Sequence, residues 1–480
     1  MAVLRPIHVL LAGKQEYASL SLEGTALKVK NPKAPAFDIP LQCVVASSFR
    51  EDHHHLEIAY VSRKKTNSPY AFIKLQGEVK DGDREIAEEW CRAVTEKAYE
   101  GTSISDYSLR VRQNRRLKVL VNPKSGTGKA VKTFVTTVEP ILRTAGCSLD
   151  VVHTKHSGHG REIASEIPLD TYDAVLIVSG DGLIHEVMNG FALHSKPRKA
   201  FAIAIAPIPA GSGNALSLNL LGLKDGFDCV AAAMNVLKGK LMNVDVCSFT
   251  QNEKRTISFM TQSVGMLADM DIGTDHLRWM GDARFTWGFL RELAKMKPCA
   301  VELSYKVETV DKKKMVEDLR ERRDHPDKTR PPPISSEAES DDLPLLRYPA
   351  TDTAGWTVHK EPMMYVYAGK GPYVARDYMT FPVSLPDDGL IDIVARGVSA
   401  RKELLTSSLD GWANGQAYWN ENVQYIRAHA YRIKPLATKT KSTLALDGEE
   451  FPLVEFQVEV IPRLATLLSP QDHYAIDFKI

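Results

Sequence analysis

Residues 174–190 read Ala-Val-Leu-Ile-Val-Ser-Gly-Asp-Gly-Leu-Ile-His-Glu-Val-Met-Asn-Gly. The opening run is apolar and rich in β-branched side chains, the pattern of a strand buried on both faces. Ser179-Gly180-Asp181-Gly182 then turns the backbone, and Leu183–Leu193 resumes as a helix. The same grammar recurs on either side. Leu117–Val121 is a strand entering Asn122-Pro123-Lys124-Ser125-Gly126-Thr127-Gly128-Lys129, followed by a helix over Ala130–Ala145. Leu149–His153 is a strand before a helix that starts at His159, and Ala202–Ala206 is a strand ending in Pro209-Ala210-Gly211-Ser212-Gly213-Asn214. Strands alternating with helices predict an α/β domain over residues 111–241 with a doubly wound parallel sheet. Ligands of such sheets sit beyond the C-terminal ends of the strands, where all three glycine loops fall.

Glycine loops that open helices offer free N–H groups and the positive end of a helix dipole, which suits phosphate. The Gly-Thr-Gly-Lys piece invites a P-loop reading, but Pro123 stands where the first glycine is needed and Ala130 where Ser or Thr is needed. A Gly-Asp-Gly triplet alone is common in turns. Its meaning comes from the two other loops in the same sheet. Asp181, between two glycines at a strand end, can reach a substrate hydroxyl while the backbone approaches phosphate.

Residues 1–110 read as a small β-rich module of short alternating strands, closed by an amphipathic helix with Ile86, Trp90, Val94 and Ala98 at four-residue spacing. That order is similar to a pleckstrin-homology module. Residues 242–480 are dominated by strand-like runs, predicting a β-sandwich. Within them, residues 311–352 are crowded with charge and carry Pro331-Pro332-Pro333 and Glu337-Ala338-Glu339-Ser340-Asp341-Asp342, which predicts a disordered insert. Residues 200–223 lack formal charge, but the prolines and glycines in their middle argue against a membrane span. The net charge of +1 excludes a global basic field for nucleic acid. The six cysteines form no CxxC pair, which argues against zinc ribbons and dithiol redox chemistry and, with no secretory h-region at the start, for reduced cytosolic thiols. His53-His54-His55 reads as a surface turn, since neighbours on a strand alternate faces.

Together the loops resemble the diacylglycerol-kinase-like catalytic fold and, within it, the sphingosine (long-chain-base) kinases. The likeness covers about residues 115–480 without the insert. Diacylglycerol and NAD kinases typically read Gly-Gly-Asp-Gly-Thr where this chain has Ser179-Gly180-Asp181-Gly182-Leu183 followed by His185-Glu186-Val187 and Asn189-Gly190, as sphingosine kinases do. The resemblance implies Asp181 as the base that takes the proton from the acceptor hydroxyl. It implies ATP contacts at Asn122, Pro123, Lys124, Ser125, Gly126, Thr154, Gly180, Gly182, Glu186, Gly211, Ser212 and Gly213. Arg278 and Arg284 match positions that hold ATP phosphates, and Asp447-Gly448-Glu449 matches an acidic turn suited to Mg²⁺ carried with ATP, with Asp447 reaching the ion through water. Asp271 is assigned to pair with the sphingoid amine, with Asp269 as its rival. Ser179 and Asp181 would meet the acceptor. Leu267 and Phe285, with Trp287, Phe289, Leu290 and Leu293, are candidates for an apolar channel beside a gating helix.

The expected partners are therefore a sphingoid-base lipid, ATP and, reversibly, a membrane surface. The expected setting is cytoplasmic with peripheral membrane association; a homodimer is open. A diacylglycerol or ceramide kinase and a non-catalytic lipid-binding scaffold are the competing readings.

Overall fold

The computed structural model describes residues 4–100, 114–274, 276–277, 283–325, 340–376, 378–399, 401, 403–404, 414–436 and 443–478. Seven strands come first: β1 (Ile7–Leu11), β2 (Tyr17–Glu23), β3 (Ala26–Asn31), β4 (Ala34–Pro40), β5 (Val44–Arg50), β6 (His55–Arg63) and β7 (Tyr70–Val79). They pair antiparallel in the order β4-β3-β2-β1-β7-β6-β5. α1 (Arg84–Tyr99) follows and buries Trp90, Val94 and Ala98, as the sequence spacing predicts, while Ala87 and not the half-buried Ile86 fills the first-turn position. β4 escapes a pattern reading because it is an edge strand with Pro35 and Pro40 and exposes every residue from Ala34 to Asp38.

The α/β half runs β8 (Arg116–Val121), α2 (Ala130–Thr133), α3 (Glu139–Thr144), β9 (Ser148–His153), α4 (His159–Ser165), β10 (Ala174–Ser179), α5 (Asp181–Leu193), α6 (Pro197–Phe201), β11 (Ala204–Pro209), α7 (Ala215–Asp225) and α8 (Cys229–Lys238). Between α2 and α3 the helix widens into a π turn at Phe134–Val138, just before Pro140, which has no N–H to give the ladder. β9, β8, β10 and β11 lie side by side in parallel. Alternate residues serve opposite faces, as the pleat requires. Val119, Val121, Leu176 and Val178 join a core with α2, α3 and α8, while Leu120, Val175 and Ile177 join another with α4, α5 and α6.

The first of these cores does not stop at the domain edge. It is continuous with Leu20, Ile58, Trp90 and Val94 of the N-terminal sheet and helix. Arg63 pairs with Asp225, Tyr70 N–H donates to Asp228 (2.7 Å), and the Lys238 ammonium donates to Leu41 O (2.8 Å) and Ala98 O (2.9 Å) across the same seam.

The C-terminal half contains β12 (Lys240–Gln251), β13 (Lys254–Ser258), β14 (Thr261–Gly265), α9 (Met266–Ile272), α10 (Ala283–Lys295), β15 (Val301–Thr309), α11 (Lys312–Asp324), β16 (Thr357–Val358), β17 (Met363–Gly369), β18 (Tyr373–Ala375), β19 (Tyr378–Met379), β20 (Ile391–Gly397), β21 (Val423–Pro435), β22 (Leu444–Leu446), β23 (Glu449–Phe451) and β24 (Phe456–Ser469). β24 pairs antiparallel with β12 and β21 and parallel with β11, so one sheet crosses from the α/β half into the β-rich half.

The insert expected over residues 311–352 is corrected at both ends. Asp311 caps α11 by accepting from Lys313 and Lys314 N–H (2.9 and 3.2 Å), and α11 buries Met315, Val316 and Leu319. Past residues 326–339, which lie outside the described residues, the chain is tied down again: Glu459 accepts from Arg347 and Tyr348 N–H (2.7 and 3.0 Å).

Candidate active site

The three glycine loops leave neighbouring strand ends and are stitched to one another. Asn122 N–H donates to Val178 O (3.2 Å), Ala210 N–H to Ser179 O (3.0 Å) and Asp181 N–H to Gly213 O (3.1 Å). The loops lie too close for side chains: a Cβ on Gly211 would stand 2.3 Å from Gly180 Cα, and one on Gly126, at φ +54°, 2.8 Å from Ala210 O. Asn122 Oδ1 accepts from Lys124 N–H (3.0 Å), forming an Asx turn, and Ser179 Oγ donates to Ser125 Oγ (3.1 Å). The floor so formed is backbone and small polar side chains, a cradle that Cβ atoms would fill and that fits a polyphosphate.

Glu186, on the first turns of α5, accepts from Gly158 and Gly160 N–H, each at 2.9 Å. It therefore braces the segment that begins at Thr154, whose own N–H donates to Val121 O (2.9 Å).

Asp181 is the first residue of α5, yet its carboxylate serves another helix. Oδ2 accepts from Ala215 N–H (2.7 Å) and Oδ1 from Leu216 N–H (3.1 Å), the unpaired donors at the start of α7. Burial pushes its pKa up to about 6, against the pull of those two N–H groups and with help from the nearby Asp447 charge. A carboxyl poised near neutrality and held by two donors can accept a proton without reorienting.

Asp447 is deeply buried. Its Oδ1 accepts from Ser258 Oγ (2.8 Å), Met260 N–H (3.0 Å) and Thr261 N–H (2.9 Å); its Oδ2 accepts from His185 Nδ1–H (2.8 Å) and Phe259 N–H (3.2 Å). Five donors fill both oxygens, so this residue does not fit the metal-facing role the sequence suggests. Among the described residues no group of three His, Cys, Asp or Glu side chains is placed to hold a metal ion.

A cavity of about 920 Å³ joins these pieces. It is lined by Asn122, Pro123, Lys124, Ser125, Gly126, Thr154, Gly180, Gly182, Glu186, Gly211, Ser212 and Gly213, and by Asp447, Gly448 and Glu449. Ser179 and Asp181 line it as well, and so do Leu267, Met270, Asp271, Phe289 and Leu290. Asp271 is thus in the cavity; desolvation raises the pKa of the half-buried Tyr367 phenol, which also lines it, and the Asp271 charge adds to that rise. Asp269 instead holds the backbone together, accepting from Thr443 N–H (2.9 Å), and burial raises its pKa. Of the channel candidates, Leu267, Phe289 and Leu293 are buried, whereas Trp287 and Leu290 are half exposed. Arg278 lies outside the described residues; Arg284 and Phe285 fall in the first turn of α10. Tyr367, Tyr378 and Arg376 also line the cavity, and sequence reasoning misses them because no local motif marks them. His185 stands in plain view within the stretch quoted first, four residues before Asn189 on the same helix face.

A diacylglycerol kinase catalytic domain model matches residues 116–249, and a YegS C-terminal NAD kinase beta sandwich-like domain model matches residues 261–469. Sphingoid long chain base kinase 4 of Schizosaccharomyces pombe is 32% identical over 390 residues, covering 80% of each chain. Sphingoid long chain base kinase 5 of Saccharomyces cerevisiae is 29% identical over 421 residues, 76% of this chain and 60% of that protein. Sphingosine kinase 2 of Arabidopsis thaliana is 26% identical over 382 residues, 74% of this chain and 76% of that protein. Two domains matched in sequence order, and a relative covered over four-fifths of its length, make this chain a lipid kinase that belongs to the sphingoid long-chain-base kinase family.

Proposed function

We propose that this chain transfers the γ-phosphate of ATP to the primary hydroxyl of a sphingoid long-chain base, giving the 1-phosphate. The observation that carries the reading is that one cavity holds a glycine-loop floor, Asp181 and the carboxylate of Asp271 beside an apolar wall. In this reading the loops at Asn122–Gly126 and Gly211–Gly213 bind the nucleotide phosphates, and Glu186 keeps the Thr154 segment in position for the rest of the nucleotide. Asp181 orients the acceptor hydroxyl and takes its proton as the bond to phosphorus forms. Asp271 pairs with the protonated amine of the base. Diacylglycerol carries no amine, so it offers Asp271 no ammonium to pair with. Mg²⁺ carried with the nucleotide would neutralise phosphate charge, and Lys124, Arg278 and Arg284 are the candidate cations that would share that task.

Reversible membrane contact fits α10, which leaves Trp287 and Leu290 half exposed with the Arg291 guanidinium over the Trp287 ring (5.6 Å). Among the described residues no helix is long and apolar enough to cross a membrane. A cytoplasmic, peripherally bound enzyme is the setting proposed, and the N-terminal seven-stranded sheet with its closing helix is read as pleckstrin-homology-like.

The test is direct. The purified chain is given labelled ATP and Mg²⁺ with sphinganine, phytosphingosine, diacylglycerol and ceramide in parallel. Sphingoid-base 1-phosphates are the expected products; label entering diacylglycerol or ceramide alone refutes the acceptor assignment.

A further inference from the structure

Two side chains on one face of α5 reach out of the α/β half into the β-rich half. His185 donates through Nδ1–H to Asp447 Oδ2 (2.8 Å). Asn189, one turn on, treats Ile257 as a strand would: its Nδ2 donates to Ile257 O (2.8 Å) and its Oδ1 accepts from Ile257 N–H (2.9 Å). The second Nδ2 hydrogen goes to His185 O (2.9 Å). Asp447 in turn collects the Ser258–Thr261 corner between β13 and β14 through the four other donors already described. It does so from a backbone at φ +50°, a left-handed conformation that residues other than glycine rarely adopt. Its N–H also donates to Thr261 O (2.8 Å). His185, Asn189, Asp447 and Ser258 are all buried.

The elements so joined carry the chemistry. α5 begins with Asp181, one turn before His185. β14 leads directly into α9, which carries Asp271. We infer that His185 and Asn189 are positioning residues that grip Asp447 and the β13–β14 corner, fixing the base Asp181 in register with the acceptor pocket, and that Asp447 is the keystone of this grip and not a metal ligand. The inference rests on the sphingoid-base kinase reading for its acceptor but not for its mechanics. A buried polar network of this kind specifies one arrangement when every member is satisfied and loses it when one member is removed.

The experiment uses the full chain and three readouts: steady-state kinetics with sphinganine, Mg·ADP affinity by calorimetry, and thermal unfolding. His185→Ala is expected to lower kcat about tenfold or more, with KM for ATP and Mg·ADP affinity within about twofold of wild type. His185→Asn, whose amide N–H stands close to the Nδ1 position, recovers most of kcat; His185→Gln, whose amide reaches past it, does not. Asp447→Asn lowers kcat without raising the Mg²⁺ concentration needed for half-activation. Should His185→Ala not fold, Ser258→Ala removes a single donor from Asp447 and is expected to cut kcat severalfold with Mg·ADP binding intact. The inference is overturned by unchanged kcat in His185→Ala or Ser258→Ala, by equal recovery with Asn and Gln, by a parallel loss of Mg·ADP affinity, or by a roughly tenfold higher Mg²⁺ requirement in Asp447→Asn. If the wild type prefers another lipid, the acceptor reading falls, and the same variants measured on that lipid still decide the grip.

Discussion

Replacing Asp271 by Asn keeps the shape of the side chain and removes its charge. In the proposed complex the carboxylate meets the ammonium of the base inside the cavity that Tyr367 also lines. A hydrogen bond to a charged group contributes about 1.5–3 kcal/mol, against about 0.5–1.5 kcal/mol for a neutral pair. The difference of about 1–1.5 kcal/mol, added to the lost attraction, sets the expected fall in kcat/KM for sphinganine at roughly 10- to 100-fold. KM for ATP should stay within about twofold, because the glycine-loop floor is untouched. Steady-state kinetics in mixed micelles, varying each substrate at saturation of the other, separates the two. The neighbouring variant Asp269→Ala supplies the contrast: it strips Thr443 N–H of its acceptor, so it should lower thermal stability, by about 1–3 kcal/mol, with no selective effect on sphinganine. If Asp271→Asn leaves sphinganine kcat/KM within about twofold of wild type, or if Asp269→Ala shows the selective loss instead, the amine-pairing argument is wrong.

Asp181→Asn should reduce turnover by about 10²–10⁴-fold while Mg·ADP binding and secondary structure by circular dichroism persist; substantial residual turnover would remove Asp181 as the base. Because the Asp181 carboxyl is raised to about 6, its active anion is lost as pH falls through that value: kcat/KM should drop about tenfold per unit below pH 6, and a limb near pH 4 would contradict the burial argument. Gly211→Ala drives a Cβ to 2.3 Å from Gly180 Cα, so it should weaken ATP binding and cost about 1–3 kcal/mol in urea unfolding; wild-type values for both would mean the loops have room to separate. Removing residues 1–100 uncovers the apolar seam against α3 and α8, and should lower Tm sharply or yield aggregates, whereas an unchanged Tm would show that the shared core contributes nothing.

What can be read from the chain is what the chain does locally. The glycine loops are legible because a strand, a turn requiring glycine and a helix start all fall within a dozen residues. The helix over residues 84–99 is legible because its apolar spacing is regular. α11 is not: Met315, Val316 and Leu319 are its buried positions in a run dominated by Lys, Arg, Glu and Asp, and they find their cover only in the tertiary fold. Sequence alone leaves Asp269 and Asp271 as rivals because the two differ by which way a short helix faces. His185 and Asp447 stand 262 residues apart, and no local pattern announces that they touch. The Asp-Gly-Glu turn therefore suggests an ion-facing Asp447, when the five donors around it come from segments distant in the chain.

Among the described strands of the large sheet, β24 is the last to be synthesised, and two of its partners, β11 and β12, are made roughly two hundred residues before it. β11, β12 and β21 all wait for it. A growing chain that has emerged only as far as β23 has two half-sheets with open inner edges, which are the surfaces most prone to wrong pairing. The enzyme therefore gains its central joint only when Phe456–Ser469 clears the ribosome. Early termination or slow release at that stage would leave a protein with its glycine loops and both carboxylates present and no strand to join β11 with β12 and β21.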